Sequence, residues 1–113
     1  MLDAAFKVHT TLGPGLLESV YQVAKHVLEA GGTLVETEVK LPIVFEGLKL
    51  ESGLRIDMLV ANCVIAELKS VEKMNPVYEA QLMTYLRLSG NRLGFLVNFN
   101  VPHLKDGIKR MVV

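Results

Sequence analysis

Hydrophobic positions recur along this chain with two different periods, and each change of period marks an element. Leu2, Ala5, Phe6, Val8 and Leu12 stand at helical spacing, so residues 2–11 open the chain inside a helix without a clear cap. Gly13-Pro14-Gly15 interrupts it. A second helix is predicted from about Leu16 to Ala30, where Leu16, Leu17, Val20, Val23, Ala24, Val27 and Leu28 form a wide apolar stripe that Gly31-Gly32 ends. Thereafter the period falls to two. Residues 33–45 alternate with many β-branched side chains and read as a strand, in which Pro42 forces a bulge or an edge position. Glu46-Gly47 is a turn signal, residues 48–60 a second strand with a bulge at Gly53, and residues 64–69 a third. No helix separates the three, which predicts an antiparallel meander.

The helical period then returns. Asn75-Pro76 is a cap followed by proline at the first helical position, and the helix it opens runs to about Leu88, with Ser89-Gly90 as its stop. Residues 93–98 are a short apolar strand. Because it follows a helical crossover, it should pair parallel to an earlier strand. The tail has a turn at Asp106-Gly107 and a last short strand from Ile108 to Val113.

The alternation also sets a register. Arg55, Asp57 and Leu59 share one side of the second strand; Ile65, Glu67 and Lys69 share one side of the third. A two-residue loop at Ala61-Asn62 would send Asp57 and Glu67 to opposite faces. A three-residue loop, Ala61-Asn62-Cys63, with Asn62 or its neighbour in the left-handed region, pairs Asp57 with Glu67 and Leu59 with Ile65. That second register also makes the other face uniformly apolar, with Leu54, Ile56, Met58 and Val60 beside Val64, Ala66 and Leu68. Core burial therefore selects the register that brings the acids together.

Ionisable groups inside apolar strands cost several kcal/mol each, after relaxation, unless they are paired or hold a metal. Two adjacent carboxylates need a proton or a cation between them, and oxygen-only ligands suit Mg²⁺ or Mn²⁺. Lys69 is placed to orient a water or to neutralise charge on a phosphate; a cross-strand ion pair of Lys69 with Asp57 or Glu67 is the competing structural account. On the following helix Gln81 and Tyr85 are four apart, with Tyr78 one turn before them, and Gln81 could orient a water or contact a substrate backbone. Glu18, by itself, is an acid in the first turn of a helix, where the dipole favours it.

Composition adds boundaries. At 113 residues the chain is expected to form one domain, 1–113. No apolar run reaches the roughly 18 residues of a membrane span, and Met1-Leu2-Asp3 lacks the layout of a signal peptide. With a single cysteine, Cys63, this is the pattern of a cytoplasmic protein without membrane partners. A chain half hydrophobic and this small is expected to cover part of its surface, as in a homodimer. The zero net charge is unevenly spread: residues 87–113 carry five basic side chains against one acid, and residues 1–86 carry seven basic and eleven acidic. Arg87, Arg92, Lys105, Lys109 and Arg110 are thus the candidates for contacting a nucleic-acid backbone, a solvated face being the alternative.

Several separated blocks resemble one family. Gly15-Leu16-Leu17-Glu18-Ser19-Val20-Tyr21 matches the GxxExxY signature, and Arg55-Ile56-Asp57, Glu67-Leu68-Lys69, Glu79-Ala80-Gln81-Leu82 with Tyr85-Leu86, Asn98-Phe99 and Leu104-Lys105-Asp106-Gly107 continue the match over nearly the whole chain. The chain resembles the GxxExxY family, placed within the PD-(D/E)XK nuclease-like superfamily. The resemblance implies an α/β (α+β) restriction-endonuclease-like core: helix, three-stranded antiparallel meander, helix and further strand in a mixed sheet. It implies a metal-dependent nuclease acting on DNA, with RNA as the second-ranked alternative, without sequence specificity. Asp57, Glu67 and Glu18 would be metal ligands, Lys69 the catalytic lysine, and Gln81 with Tyr85 the QxxxY element. His9 is either a further ligand or a residue that caps or packs. Ile56 replaces the proline of the superfamily name, and the start inside the first helix implies an N-terminus with residues missing. The other reading is a nuclease-like module that binds nucleic acid or a protein partner without cutting.

Overall fold

The change of period after Gly32 becomes a change from helix to sheet. The computed structural model of the chain describes residues 1–14 and 20–113, apart from the side chains of Val20, Tyr21 and Ser52. Two helices, α1 (Leu2–Leu12) and α2 (Val20–Ala30), precede strands β1 (Val35–Phe45), β2 (Leu48–Val60) and β3 (Val64–Lys69). Helix α3 (Pro76–Ser89), strand β4 (Leu93–Asn98), a 3₁₀ turn (Leu104–Gly107) and strand β5 (Ile108–Val112) complete the chain. The sheet has five strands in the order β1-β2-β3-β4-β5, antiparallel except for the parallel β3–β4 pair. The mixed α/β architecture expected from the sequence is the one observed.

Local chemistry accounts for the boundaries. Asn75 caps α3 by accepting a hydrogen bond from the Val77 N–H at 3.0 Å, Pro76 takes the first turn, and Gly90 closes the helix with φ 76°. Pro42 satisfies both of its expected placements: β1 is an edge strand, and its register shifts between Leu41 and Ile43. Gly53, at φ 74°, lies in the part of β2 facing that shift. The loop between β2 and β3 is the three-residue one, since Val60 pairs with Val64 and Leu59 with Ile65. Ala61 and Asn62 both have positive φ, 52° and 56°, and the Cys63 N–H closes the turn on the Val60 carbonyl at 3.1 Å.

Both faces of the sheet are covered. Ala4, Ala5 and Val8 of α1 and Ala24 and Leu28 of α2 pack on Met58, Val60, Ala66, Leu68, Phe95 and Val97. Leu82, Tyr85 and Leu86 of α3 pack on the other face against Ile65 and Leu96. Fully buried aliphatic side chains such as Leu82, Ile65 and Leu96 each contribute about 1.5–3 kcal/mol. Helix α3 lies so close to β4 that a Cβ on Gly94 would come within 2.8 Å of the Leu82 side chain.

The single apolar wall expected along β2 is corrected by this packing. Met58 and Val60 join the α1/α2 cluster, whereas Leu54 and Ile56 join the α3 cluster. The break falls at one step: the β1–β2 ladder passes from Thr37↔Met58 to Val39↔Ile56 without bridging Glu38 and Asp57. Glu38 there has φ 52°. A left-handed residue inside a strand bends it, so the outer hairpin turns its apolar edge toward a different helix. None of the described helices is long and apolar enough to cross a membrane.

Candidate metal and active site

Asp57 stands at that bend, and its neighbour in space is Glu67. The β2–β3 ladder is bridged only as far as Met58↔Ala66; beyond it, side chains take up the backbone groups. The Asp57 N–H donates to Glu67 Oε1 at 3.1 Å, and the Leu68 N–H donates to Asp57 Oδ2 at 3.1 Å. Each acid is therefore held by the backbone of the strand opposite. Glu67 is buried and Asp57 half-buried.

This arrangement is electrostatically costly. Burial first, and then the Asp57 charge and a carboxyl hydrogen bond to Asp57, push the Glu67 carboxyl up to about 9, while Lys69 acts in the opposite direction. At neutral pH Glu67 therefore keeps its proton in the absence of a cation. Two adjacent carboxyl groups are hard oxygen donors, a set suited to a divalent ion. Among the described residues there is no group of three or more His, Cys, Asp or Glu able to hold a metal. Glu18, the third ligand expected from the sequence, lies outside the described residues.

The other expected residues divide. Lys69 is half-buried, and its ammonium sits 4.6 Å from the centre of the Tyr78 ring, a cation–π contact that fixes the side chain. Tyr85 is buried, and its hydroxyl is raised above its ordinary value by burial and then by the charges of Glu67 and Asp57. Both acids therefore act on it electrostatically. Gln81 is exposed on α3, one turn from both tyrosines. His9 is buried near the end of α1, and its Nε2 lies 2.7 Å from the Val101 carbonyl oxygen, the packing use that the sequence left open.

The five basic residues do not form one surface. On β5, Lys109 pairs with Leu96 and Arg110 with Phe95, so they leave the strand on opposite faces. Lys109 reaches α3, where its ammonium is 2.8 Å from Glu79 Oε1, beside a cleft of about 280 Å³ also lined by Met74, Asn75, Leu96 and Asp106. Arg92 Nε donates to the Val113 carbonyl at 3.3 Å. Arg87 and Lys105 are exposed.

Two supporting residues had weaker sequence signals. Tyr78 precedes Tyr85 by seven residues, two helical turns along the same face, yet only the packing places it on Lys69. Asn98 pairs in register with Lys69, and its buried amide clamps the chain leaving β3: Oδ1 accepts from the Val71 and Asn100 N–H groups, both at 3.1 Å, and Nδ2 donates to the Val71 carbonyl at 3.0 Å. A polar residue closing an otherwise apolar strand was the available clue.

Comparison with curated proteins and with solved structures gives no match. The family comparison does: the model of the PD-(D/E)XK nuclease superfamily, whose members generally use divalent metals, matches residues 1–111. With two acids and a lysine on adjacent strands at the bend of a mixed sheet, and a match over nearly its whole length, the chain belongs to the PD-(D/E)XK nuclease superfamily.

Proposed function

We propose that the protein is a metal-dependent nuclease that hydrolyses phosphodiester bonds of DNA, with RNA as the second-ranked alternative, at the Asp57/Glu67/Lys69 site. The observation that carries this reading is the mutual embrace of Asp57 and Glu67, which leaves a buried carboxyl holding a proton beside a half-buried one, where a cation would serve better. Asp57 and Glu67 would hold Mg²⁺ or Mn²⁺, with Glu18 as the third ligand. When bound, the ion supplies Lewis acidity and charge neutralisation to a phosphate. Lys69, steadied by Tyr78, orients the attacking water and offsets charge on the phosphate oxygens. Tyr85 interacts with both acids electrostatically, and Gln81 reaches the substrate side from the exposed face of α3. Membership of the GxxExxY branch rests on the Gly15 to Tyr21 motif, and a cytoplasmic location on the lone cysteine.

Incubation of the purified protein with linear, circular and single-stranded DNA and with RNA, under Mg²⁺, Mn²⁺ or chelator, tests the reading. Cleavage that depends on the metal and is lost in both Asp57→Ala and Lys69→Ala supports it, and cleavage unchanged by both rejects it. The alternative, a module that binds without cutting, predicts no heat in a calorimetric titration with Mn²⁺. A homodimer draws its support from the exposed tip of the β1–β2 hairpin, where Phe45 and Leu48 are 69% and 59% exposed. A monomer mass at every concentration in sedimentation rejects it.

A further inference from the structure

Four described residues other than glycine have positive φ, and three of them, Glu46, Ala61 and Asn62, lie in the turns between strands. The fourth, Glu38 at φ 52°, lies inside β1. No turn calls for it there. A glutamate takes the left-handed region at a cost, and such a residue persists only where its surroundings hold it. The Glu38 side chain is exposed, so its own packing does not explain the conformation. The residue opposite does. The register is the same on either side, Thr37↔Met58 and Val39↔Ile56, so Glu38 faces Asp57 yet does not bridge it.

Hydrogen-bond direction along β2 shows what the missing bridge does. The Ala61 N–H donates toward the β1 side, to the Leu34 carbonyl at 2.8 Å. Backbone groups of a strand point alternately to its two neighbours, so those of Leu59 and Asp57 also belong to the β1 side, and those of Met58 and Val60 to β3. In agreement, Met58 pairs with Ala66, and the Val60 carbonyl closes the turn into β3. A regular ladder would therefore aim the Asp57 N–H at Glu38. It donates instead to Glu67 Oε1 on β3, at 3.1 Å. We infer that Glu38 is a positioning residue that acts through its backbone: its left-handed conformation breaks the ladder at Asp57, turns the Asp57 N–H to Glu67 and so builds the acid pair. The Glu38 carboxylate has no part in this. That the pair then holds a metal rests on the nuclease reading; the exchange of hydrogen-bond partners does not.

The test ranks substitutions by their tolerance of positive φ: Glu38→Gly first, then Glu38→Ala, then the β-branched Glu38→Val. Two readouts are taken: Mn²⁺ affinity by calorimetry and, in chelator, the Asp57 amide resonance with and without Glu67→Gln. Glu38→Gly should bind Mn²⁺ as wild type does, although the carboxylate is gone, and should unfold in urea at an equal or higher midpoint. Glu38→Val should bind about 10- to 100-fold more weakly, with Glu38→Ala between the two. Glu67→Gln should move the Asp57 amide resonance in wild type and in Glu38→Gly, and leave it in place in Glu38→Val. Loss of stability alone does not give that signature. If the valine variant does not fold, the alanine variant carries the comparison. Weakened Mn²⁺ binding by Glu38→Gly, or wild-type affinity and resonance response in the valine and alanine variants, overturns the inference. A wild type that takes up no Mn²⁺, while the Asp57 resonance still follows the ranking, removes the metal and retains the role of Glu38.

Discussion

Glu67 and Asn98 are both buried polar side chains on neighbouring parallel strands, 5% and 2% exposed, yet their surroundings are opposite in kind. Asn98 is satisfied: its amide answers three backbone groups and holds the chain as it leaves the sheet. Glu67 accepts one backbone N–H and otherwise faces a second carboxylate, an arrangement that burial makes worse. A satisfied buried polar group stabilises the fold, whereas a repelling pair kept at the bend of the sheet weakens it unless a proton or a cation is present. The contrast separates a polar group that steadies the fold from a pair whose burial costs stability until a proton or a cation is supplied.

The largest expected effect breaks the chemical side of this contrast. Asp57→Asn should lower metal-dependent cleavage on the order of 10³-fold, about 4 kcal/mol of barrier, without lowering the thermal midpoint in chelator. A rate within tenfold of wild type in a single-turnover assay would remove Asp57 from the site.

Next is the pH dependence of stability. The Glu67 carboxyl is raised from 4.5 to about 9 in the folded protein, so the folded chain holds a proton that the unfolded chain releases. The stability this group contributes is complete below about 4.5 and is lost as pH rises through about 9, with a slope approaching about 1.4 kcal/mol per pH unit between them. Urea unfolding of the metal-free protein should show this fall, and Glu67→Gln, which mimics the protonated form, should flatten it and be the more stable protein at pH 8. Equal slopes in the two proteins would contradict the origin assigned to the shift.

Asn98→Ala sharpens the structural side. It leaves the Val71 N–H and carbonyl without their side-chain partner and should cost about 1–3 kcal/mol, read as a lower urea midpoint. Any loss of cleavage in this variant should follow the unfolded fraction. The smallest effect is at the loop that sets the register. Ala61 has φ 52°, which an L-residue adopts at a cost, so Ala61→Gly should stabilise by up to about 1 kcal/mol and leave cleavage unchanged.

Periodicity, caps and turn residues are local, and they made the element order readable: β2, β3 and β4 span the predicted residues, and Asn75-Pro76 and Gly90 bound α3. The register was readable too. Pairing Leu59 with Ile65 was the arrangement that brought Asp57 to Glu67, and a three-residue loop with Ala61 and Asn62 left-handed delivers it, while the single apolar face expected with it is split between two helix layers. The acid pair was therefore determined by sequence. The bend at Glu38 was not, because its positive φ falls on a residue with no glycine-like signal, and it decides which helix covers Ile56 and which covers Met58. Tertiary structure alone also put Tyr78 over Lys69, gave His9 to a carbonyl 92 residues away and divided Lys109 from Arg110. Those contacts depend on how helices seat against a twisted sheet, and the energy that selects the seating is spread over many apolar contacts, so no single motif in the chain encodes it.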